Sequence, residues 1–179
     1  WADGLCQPSV VGHGNNQAIV LGLERSPIRG YDPATGEMLW ECDTGLTNFK
    51  PMAVSGNGIV FATNQNCTAA IRLGGRGDVS GTHKLWELDK GSYVAAPIFY
   101  EGHLYFPNED GGIVYCVDAE TGRLMYEERL NDGGSIWASP VVADGRLYYI
   151  SRFKGTYVLA AKPEFELLAH NTIDRDDGE

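Results

Sequence analysis

The feature that most constrains this chain is an internal repeat. Pro8, Pro51, Pro97 and Pro140 are spaced 43, 46 and 43 residues apart, and each opens a similar run. The run reads proline, a few apolar residues, a turn, then an aromatic-rich strand. It appears as Pro51 to Phe61, Pro97 to Phe106 and Pro140 to Tyr149, with a weaker copy from Pro8 through Val10, Val11 and Ile19-Val20-Leu21. A period of roughly 40–45 residues is what one four-stranded propeller blade occupies. Each turn carries a glycine, in Asn57-Gly58, Glu101-Gly102 and Asp144-Gly145, where a tight hairpin needs positive φ. Each proline falls at a strand start, where a missing N–H costs least. The expected fold is all-β, a β-propeller of four-stranded antiparallel blades with about four blades present. They form one region, 1–179, with blades near 5–46, 47–92, 93–135 and 136–176.

A second segment closes each blade. Asp32-Pro33-Ala34-Thr35-Gly36-Glu37-Met38-Leu39-Trp40 matches Asp118-Ala119-Glu120-Thr121-Gly122-Arg123-Leu124-Met125-Tyr126. The Asp is suited to accept bonds from backbone N–H groups two or three residues on, and the Gly to leave the turn in the left-handed region. The aromatic then lies on the outermost strand, against the neighbouring blade, where burying it is worth roughly 2–3 kcal/mol. In the second blade Trp86 has Asp78 eight residues upstream, with Gly81-Thr82 in place of Thr-Gly. In the fourth, Leu168 takes the aromatic position, Ala160 the Asp position and Pro163-Glu164 the turn.

Asp-x-x-Thr-Gly-x-x-x-Trp at this period resembles the tryptophan-docking motif of PQQ-like (quinoprotein-like) propellers. That group contains quinoprotein dehydrogenases and the outer-membrane assembly lipoprotein. The resemblance covers residues 5 to 172. The stretch Ala70 to Asp78, followed by Thr82 to Trp86, is similar to a segment of exported PQQ-repeat proteins of planctomycete-type bacteria. The resemblance implies a periplasmic or extracellular protein. Such rings commonly hold about seven or eight blades, so about half a ring is expected here, open, with the remaining blades as its neighbours. In the dehydrogenases the cofactor lies on the axis over a tryptophan, beside a metal and an adjacent-cysteine disulfide. This chain has no Cys-Cys dipeptide, so neither PQQ nor calcium is expected as a cofactor.

Other classes are disfavoured by charge and motif. With 14 basic and 24 acidic residues the net charge is −10, and no basic stripe exists to neutralise phosphates. No nucleic-acid partner is expected. No apolar run approaches the roughly 20 residues of a membrane span, so no transmembrane segment is expected either. The chain opens at Trp1 without a signal-peptide pattern and reads as trimmed or as part of a longer protein.

Several residue groups invite a sharper reading. Cys6, Cys42, Cys67 and Cys116 lack a CxxC pair and read as small buried strand residues, with one or two disulfides as the alternative. Asn108-Glu109-Asp110-Gly111-Gly112 clusters oxygens as a calcium loop does, but without EF-hand alternation, and reads as a hairpin turn. The acidic end Asp174 to Glu179 reads as a solvated loop. Arg76-Gly77-Asp78 forms an adhesion-type tripeptide inside a glycine-rich run, yet Asp78 already serves the repeat. His13, His83, His103 and His170 lie in different repeats without metal spacing. Ser139 belongs to a strand start, and no G-x-S-x-G elbow is present. No catalytic, cofactor-binding or metal-ligating residue is therefore assigned. The expected function is a non-catalytic scaffold that presents loops to a protein or glycan. The alternative is a fragment of a PQQ-dependent quinoprotein dehydrogenase. A sugar- or peptide-binding module would use Trp137 or Trp86, if either ring reaches a groove.

Overall fold

A computed structural model describes residues 7–12, 17–22, 27–46, 48–109 and 111–172. Cys6, His13, Asp110 and the acidic end from 174 lie outside the described residues. Four separate sheets follow one another along the chain. Blade 1 holds β1 (Ser9–Val11), β2 (Ala18–Leu21), β3 (Ile28–Tyr31) and β4 (Met38–Cys42). Blade 2 holds β5 (Val54–Gly56), β6 (Ile59–Thr63), β7 (Thr68–Arg72) and β9 (Lys84–Leu88). Blade 3 holds β10 (Ile98–Tyr100), β11 (His103–Asn108), β12 (Ile113–Asp118) and β13 (Leu124–Arg129). Blade 4 holds β14 (Val141–Ala143), β15 (Arg146–Ser151), β16 (Gly155–Ala160) and β17 (Leu167–Asn171). Within each blade neighbouring strands pair antiparallel, innermost to outermost.

The hairpins form for the reason the dipeptides suggest. Asn57 and Gly58 have φ of 52° and 75°, Glu101 and Gly102 44° and 79°, Asp144 and Gly145 48° and 67°. Two successive positive φ values define the primed turn that suits strand twist. The closing turns also behave as their residues dictate. Asp32 Oδ1 accepts from the N–H groups of Ala34 and Thr35, at 2.7 and 3.0 Å. Asp118 Oδ1 accepts from Thr121 N–H and Oγ1, at 2.8 and 2.7 Å.

Register corrects two positions. Trp40, Trp86 and Tyr126 pair with Gly30, Ala70 and Cys116, each just before a bulge. The same place in blade 4 pairs Ala169 with Val158, so Ala169 and not Leu168 stands where the aromatic would. The strand-end position shared by Asp32, Asp118 and Ala160 is held in blade 2 by Arg72, not by Asp78. Each of these amides bonds a carbonyl across the closing turn: Asp32 to Glu37, Arg72 to His83, Asp118 to Arg123 and Ala160 to Glu166. Asp78 belongs to a longer excursion. There β8 (Gly77–Asp78) leaves blade 2 and pairs in parallel with β4 of blade 1, making that sheet five-stranded. The Val79 amide bonds Glu41 O at 2.9 Å, and the Asp43 amide donates to Ser80 Oγ.

The blades meet through side chains in three buried clusters. Val11, Val20, Trp40 and Cys42 of blade 1 face Val60, Ala62, Ala69 and Ile71 of blade 2. Phe61 and Ala70 face Leu104, Phe106, Tyr115 and Val117 across the next interface. Tyr105, Val114, Cys116 and Tyr126 face Leu147, Tyr149, Tyr157 and Leu159 across the third. Each closing aromatic reaches forward onto the next blade. Trp86 covers Gly122, where a Cβ would lie 2.6 Å from the indole, and its Nε1 donates to Ala119 O at 3.1 Å. Tyr126 meets Phe165 edge-on with centroids 5.7 Å apart. Trp40 shares its cluster with Val79 of the blade 2 excursion. Gly36 adopts the same φ as Gly122, 74°, but no atom of the described residues lies within 4 Å of where its Cβ would stand.

That pair of glycines allows a clean measurement. Gly36→Ala and Gly122→Ala carry the same backbone strain, about 1–2 kcal/mol, and only the second also collides with Trp86. Urea unfolding should show Gly122→Ala less stable than Gly36→Ala by about 1–3 kcal/mol; equal midpoints would remove the indole contact from the account. The turn aspartates predict a pH effect. Hydrogen bonds from Thr121 and Glu120 hold the Asp118 carboxyl below its usual range, and those from Thr35 and Ala34 do the same for Asp32. A depressed folded value contributes stability that is whole above about pH 4 and is lost as pH falls through the lower folded value. Asp32→Asn with Asp118→Asn should flatten the fall in stability below about pH 4 and leave the slope above about pH 5 unchanged.

Candidate functional site: the loop end of the propeller

Strand alternation sorts the connections onto two ends. The inner hairpins at 57–58, 101–102 and 144–145 share one end with the closing turns. The other end gathers the β6–β7, β11–β12 and β15–β16 hairpins with the loops that lead from one blade to the next.

At the turn end, a groove of about 560 Å³ lies between blades 2 and 3, with Asn57, Arg72, His103, Asp118 and Glu120 in its walls. Two of its polar side chains serve local structure. Asp118 serves the closing turn, and His103 Nδ1 contacts Glu101 O at 2.9 Å. The lining has no Ser, Thr or Cys to act as a nucleophile. Within Arg76-Gly77-Asp78 the last two residues form β8, and Asp78 Oδ1 accepts from Ser80 N–H and Oγ. The tripeptide is thus part of a sheet edge rather than a free loop.

At the loop end, Glu109 is the most consequential acid. Its side chain is buried, and both oxygens are taken. Oε1 accepts from Ser92 Oγ, Val94 N–H and Ala95 N–H at 2.8, 2.6 and 3.1 Å, and Oε2 from Tyr93 N–H at 2.7 Å. Four donors converge on this one carboxylate, which pins the loop between blades 2 and 3. The acid that suggested a calcium loop is a backbone clamp. Ser139 is similar in kind, with its Oγ accepting from Ala96 N–H at 2.9 Å, one blade to the next.

The remaining sequence candidates stay apart. Among the described residues no three His, Cys, Asp or Glu side chains converge on a metal-sized space. His83 Nδ1 contacts Thr82 Oγ1, while His170 stacks on Tyr157 with centroids 3.9 Å apart. Cys42 and Cys116 are buried, Cys67 half-buried, and all three are free thiols. Burial pushes the Cys42 and Cys67 thiols up to about 11 and Cys116 up to about 12. They therefore stay protonated at neutral pH and make poor nucleophiles. Burial likewise drives the Tyr126 and Tyr149 hydroxyls well above their ordinary range. Trp86 is partly buried, with its Nε1 donating to Ala119 O and its ring against Gly122, which commits it to the turn of blade 3.

Trp137 differs. It is 50% exposed, on the loop into blade 4, and the Arg152 guanidinium lies 4.4 Å from its centroid. Arg152 also lies 4.8 Å from the ring of Phe153, which is 62% exposed. The hairpin tip is fixed to the Trp137 loop, because the Arg152 amide donates to Ser135 O at 2.8 Å. A second cation–aromatic pair, Lys50 over Tyr93 at 3.6 Å, stands at the same end. Sequence reasoning reached Trp137 but not Arg152 or Phe153. The signal was an aromatic inside a tight hairpin, where turn chemistry has no use for one.

The structure is similar to BamB from Moraxella catarrhalis, with TM-score 0.69 and 17% identity over 88% of this chain and 46% of that one. It is also similar to the computationally designed Ika4 protein, with TM-score 0.67 and 17% identity over 90% of this chain and 100% of that one. A quinohemoprotein alcohol dehydrogenase from Pseudomonas putida HK5 matches with TM-score 0.67 and 16% identity, over 93% of this chain and 33% of that one. The chain thus spans less than half of the BamB structure, and at these identities the likeness is one of fold. No curated protein sequence matches. A family model described as outer membrane protein assembly factor BamB matches residues 24–178, and the chain belongs to that family of PQQ-like repeat β-propellers.

Proposed function

We propose that this chain is a non-catalytic propeller module of an exported protein, which binds a protein partner through its loop end. The observation that carries the reading is the exposed group Trp137, Arg152 and Phe153. Partner-binding hot spots are enriched in Trp and Arg, and loops set on a rigid scaffold are where binding residues concentrate. The name of the family, an outer-membrane assembly factor, supports a protein partner outside the cytoplasm.

The two terminal blades support a further element of this reading, that additional blades flank the four. Val10 of blade 1 is 64% exposed and Val141 of blade 4 is 56% exposed, whereas the matching residues Ser55 and Phe99, and Val54 and Ile98, of the inner blades are half-buried. The unfilled seat at Gly36 has the shape that Trp86 fills at Gly122.

A photo-crosslinking residue placed at 137 or 153 in the full-length protein, in its own host, should yield a protein adduct. The same residue at 120, on the turn end, should not. Absence of adducts at both loop positions overturns the reading, and a carbohydrate adduct redirects it to a glycan. The second reading, a fragment of a PQQ-dependent dehydrogenase, draws on the fold shared with the quinohemoprotein enzymes. It requires a clear rise in melting temperature with saturating PQQ and calcium. We expect none, and Glu109, with both oxygens occupied, should bind no calcium.

A further inference from the structure

Resting on the loop-end reading above, we infer that the segment bound there is an acidic polypeptide whose carboxylate pairs with Arg152 between Trp137 and Phe153. Seven basic residues of this acidic chain have partners within it. Arg29 pairs with Glu41, Lys84 with Glu87, Lys90 with Glu127, Lys154 with Asp132 and Lys162 with Glu166. Arg129 donates to Gly111 O, and Lys50 to the Tyr93 hydroxyl. Arg152 is exposed and touches two rings, and no carboxylate among the described residues approaches it. Asp132, the acid of the adjoining loop, is already held by Lys154 at 2.7 Å.

The chemistry of that arrangement is selective. A guanidinium whose face lies on an aromatic ring keeps its N–H donors in the plane, directed outward as a fork. A carboxylate matches that fork in a bidentate, charge-assisted pair. The two rings beside it give apolar surface for the side chains that flank the acid, and they lower the local solvent competition for the pair. A neutral ligand would use the rings alone and leave the fork unused. Position is also held on the protein's side. The amide bond from Arg152 to Ser135 O fixes hairpin to loop, and the Lys154–Asp132 pair holds the next residue of the same tip.

The test uses the purified full-length protein and three synthetic peptides. The first is acetylated, amidated and rich in Glu and Phe. The second has Gln for every Glu. The third is the Gln peptide with a free C-terminal carboxylate. Isothermal titration should find the Glu peptide binding at least about tenfold more tightly than the blocked Gln peptide, with the preference shrinking at high salt. Arg152→Met should erase the preference, and Arg152→Lys should keep only part of it, since charge remains and the planar fork is lost. Trp137→Ala and Phe153→Ala should weaken both blocked peptides. Binding of the free-carboxylate Gln peptide at the level of the Glu peptide would assign the pair to a chain terminus rather than a side chain, and either source supports the inference. Equal affinity for the Glu and Gln peptides, a preference that survives Arg152→Met, or no binding by any peptide overturns it. Carboxylate-blind binding together with photo-adducts at 137 and 153 would sink this inference alone and leave the loop-end reading standing. Unchanged melting curves for the Arg152 variants verify that the fold is intact.

Discussion

The structure depends on a glycine that leaves room for a neighbour's ring. Blades 2, 3 and 4 are separate sheets with no strand ladder between them, so only side-chain packing can order them. Gly122 sits where any Cβ would enter the Trp86 indole, and Gly56 stands in the same relation to Phe99. Close approach of ring to backbone converts a half-exposed outer strand into a buried contact. It also lets the indole N–H reach Ala119 O, so that burying the ring leaves no donor stranded. The three buried clusters then run continuously from one blade to the next.

Much of this was legible in the sequence because the repeat is local. The two-residue primed turn and the Asp-to-Gly closing turn each encode their geometry within a few residues and took the expected form, whereas Pro51 lies three residues ahead of β5 rather than at its start. What was not legible depended on register. Asp78 stands eight residues before Trp86, as Asp32 does before Trp40, but the count ignores an excursion that carries Asp78 out to the edge of blade 1. Arg72 holds the strand-end place instead, and nothing in its side chain announces that, since the bond is made by its backbone amide. In blade 4 the bulge between Val158 and Leu159 moves the pairing by one residue, and a one-residue slip changes which side chain faces the neighbour.

The two ends of the propeller differ in what they ask of side chains. The turn end is built from backbone geometry and repeats from blade to blade, so its residues are explained by structure. The loop end is individual: a buried Glu109 clamp between blades 2 and 3, a Lys50–Tyr93 pair, and Arg152 across two exposed rings. Glu109 illustrates why composition misleads there. An acid in a glycine-rich hairpin looks like a metal ligand until its oxygens are followed to the four donors that occupy them. Arg152 illustrates the reverse, a residue unremarked in sequence that the hairpin places beside two rings and no acid.

The forward reach of the closing aromatics gives the array a direction. Trp86 covers the turn of blade 3, and Tyr126 meets Phe165 of blade 4. Blade 4 passes nothing on, because Ala169 stands in the aromatic's place and has no ring to extend. Blade 1, by contrast, has a receiving turn of the same conformation as blade 3, with its glycine uncovered. Closing blade 4 onto blade 1 would therefore bring an alanine to a seat shaped for an indole, and the contact on which the inner blades depend would be missing at that junction. A preceding blade that ends in Trp or Tyr would fill the seat as Trp86 does. The mismatch between Ala169 and Gly36 thus fits an open arc of blades better than a four-bladed ring.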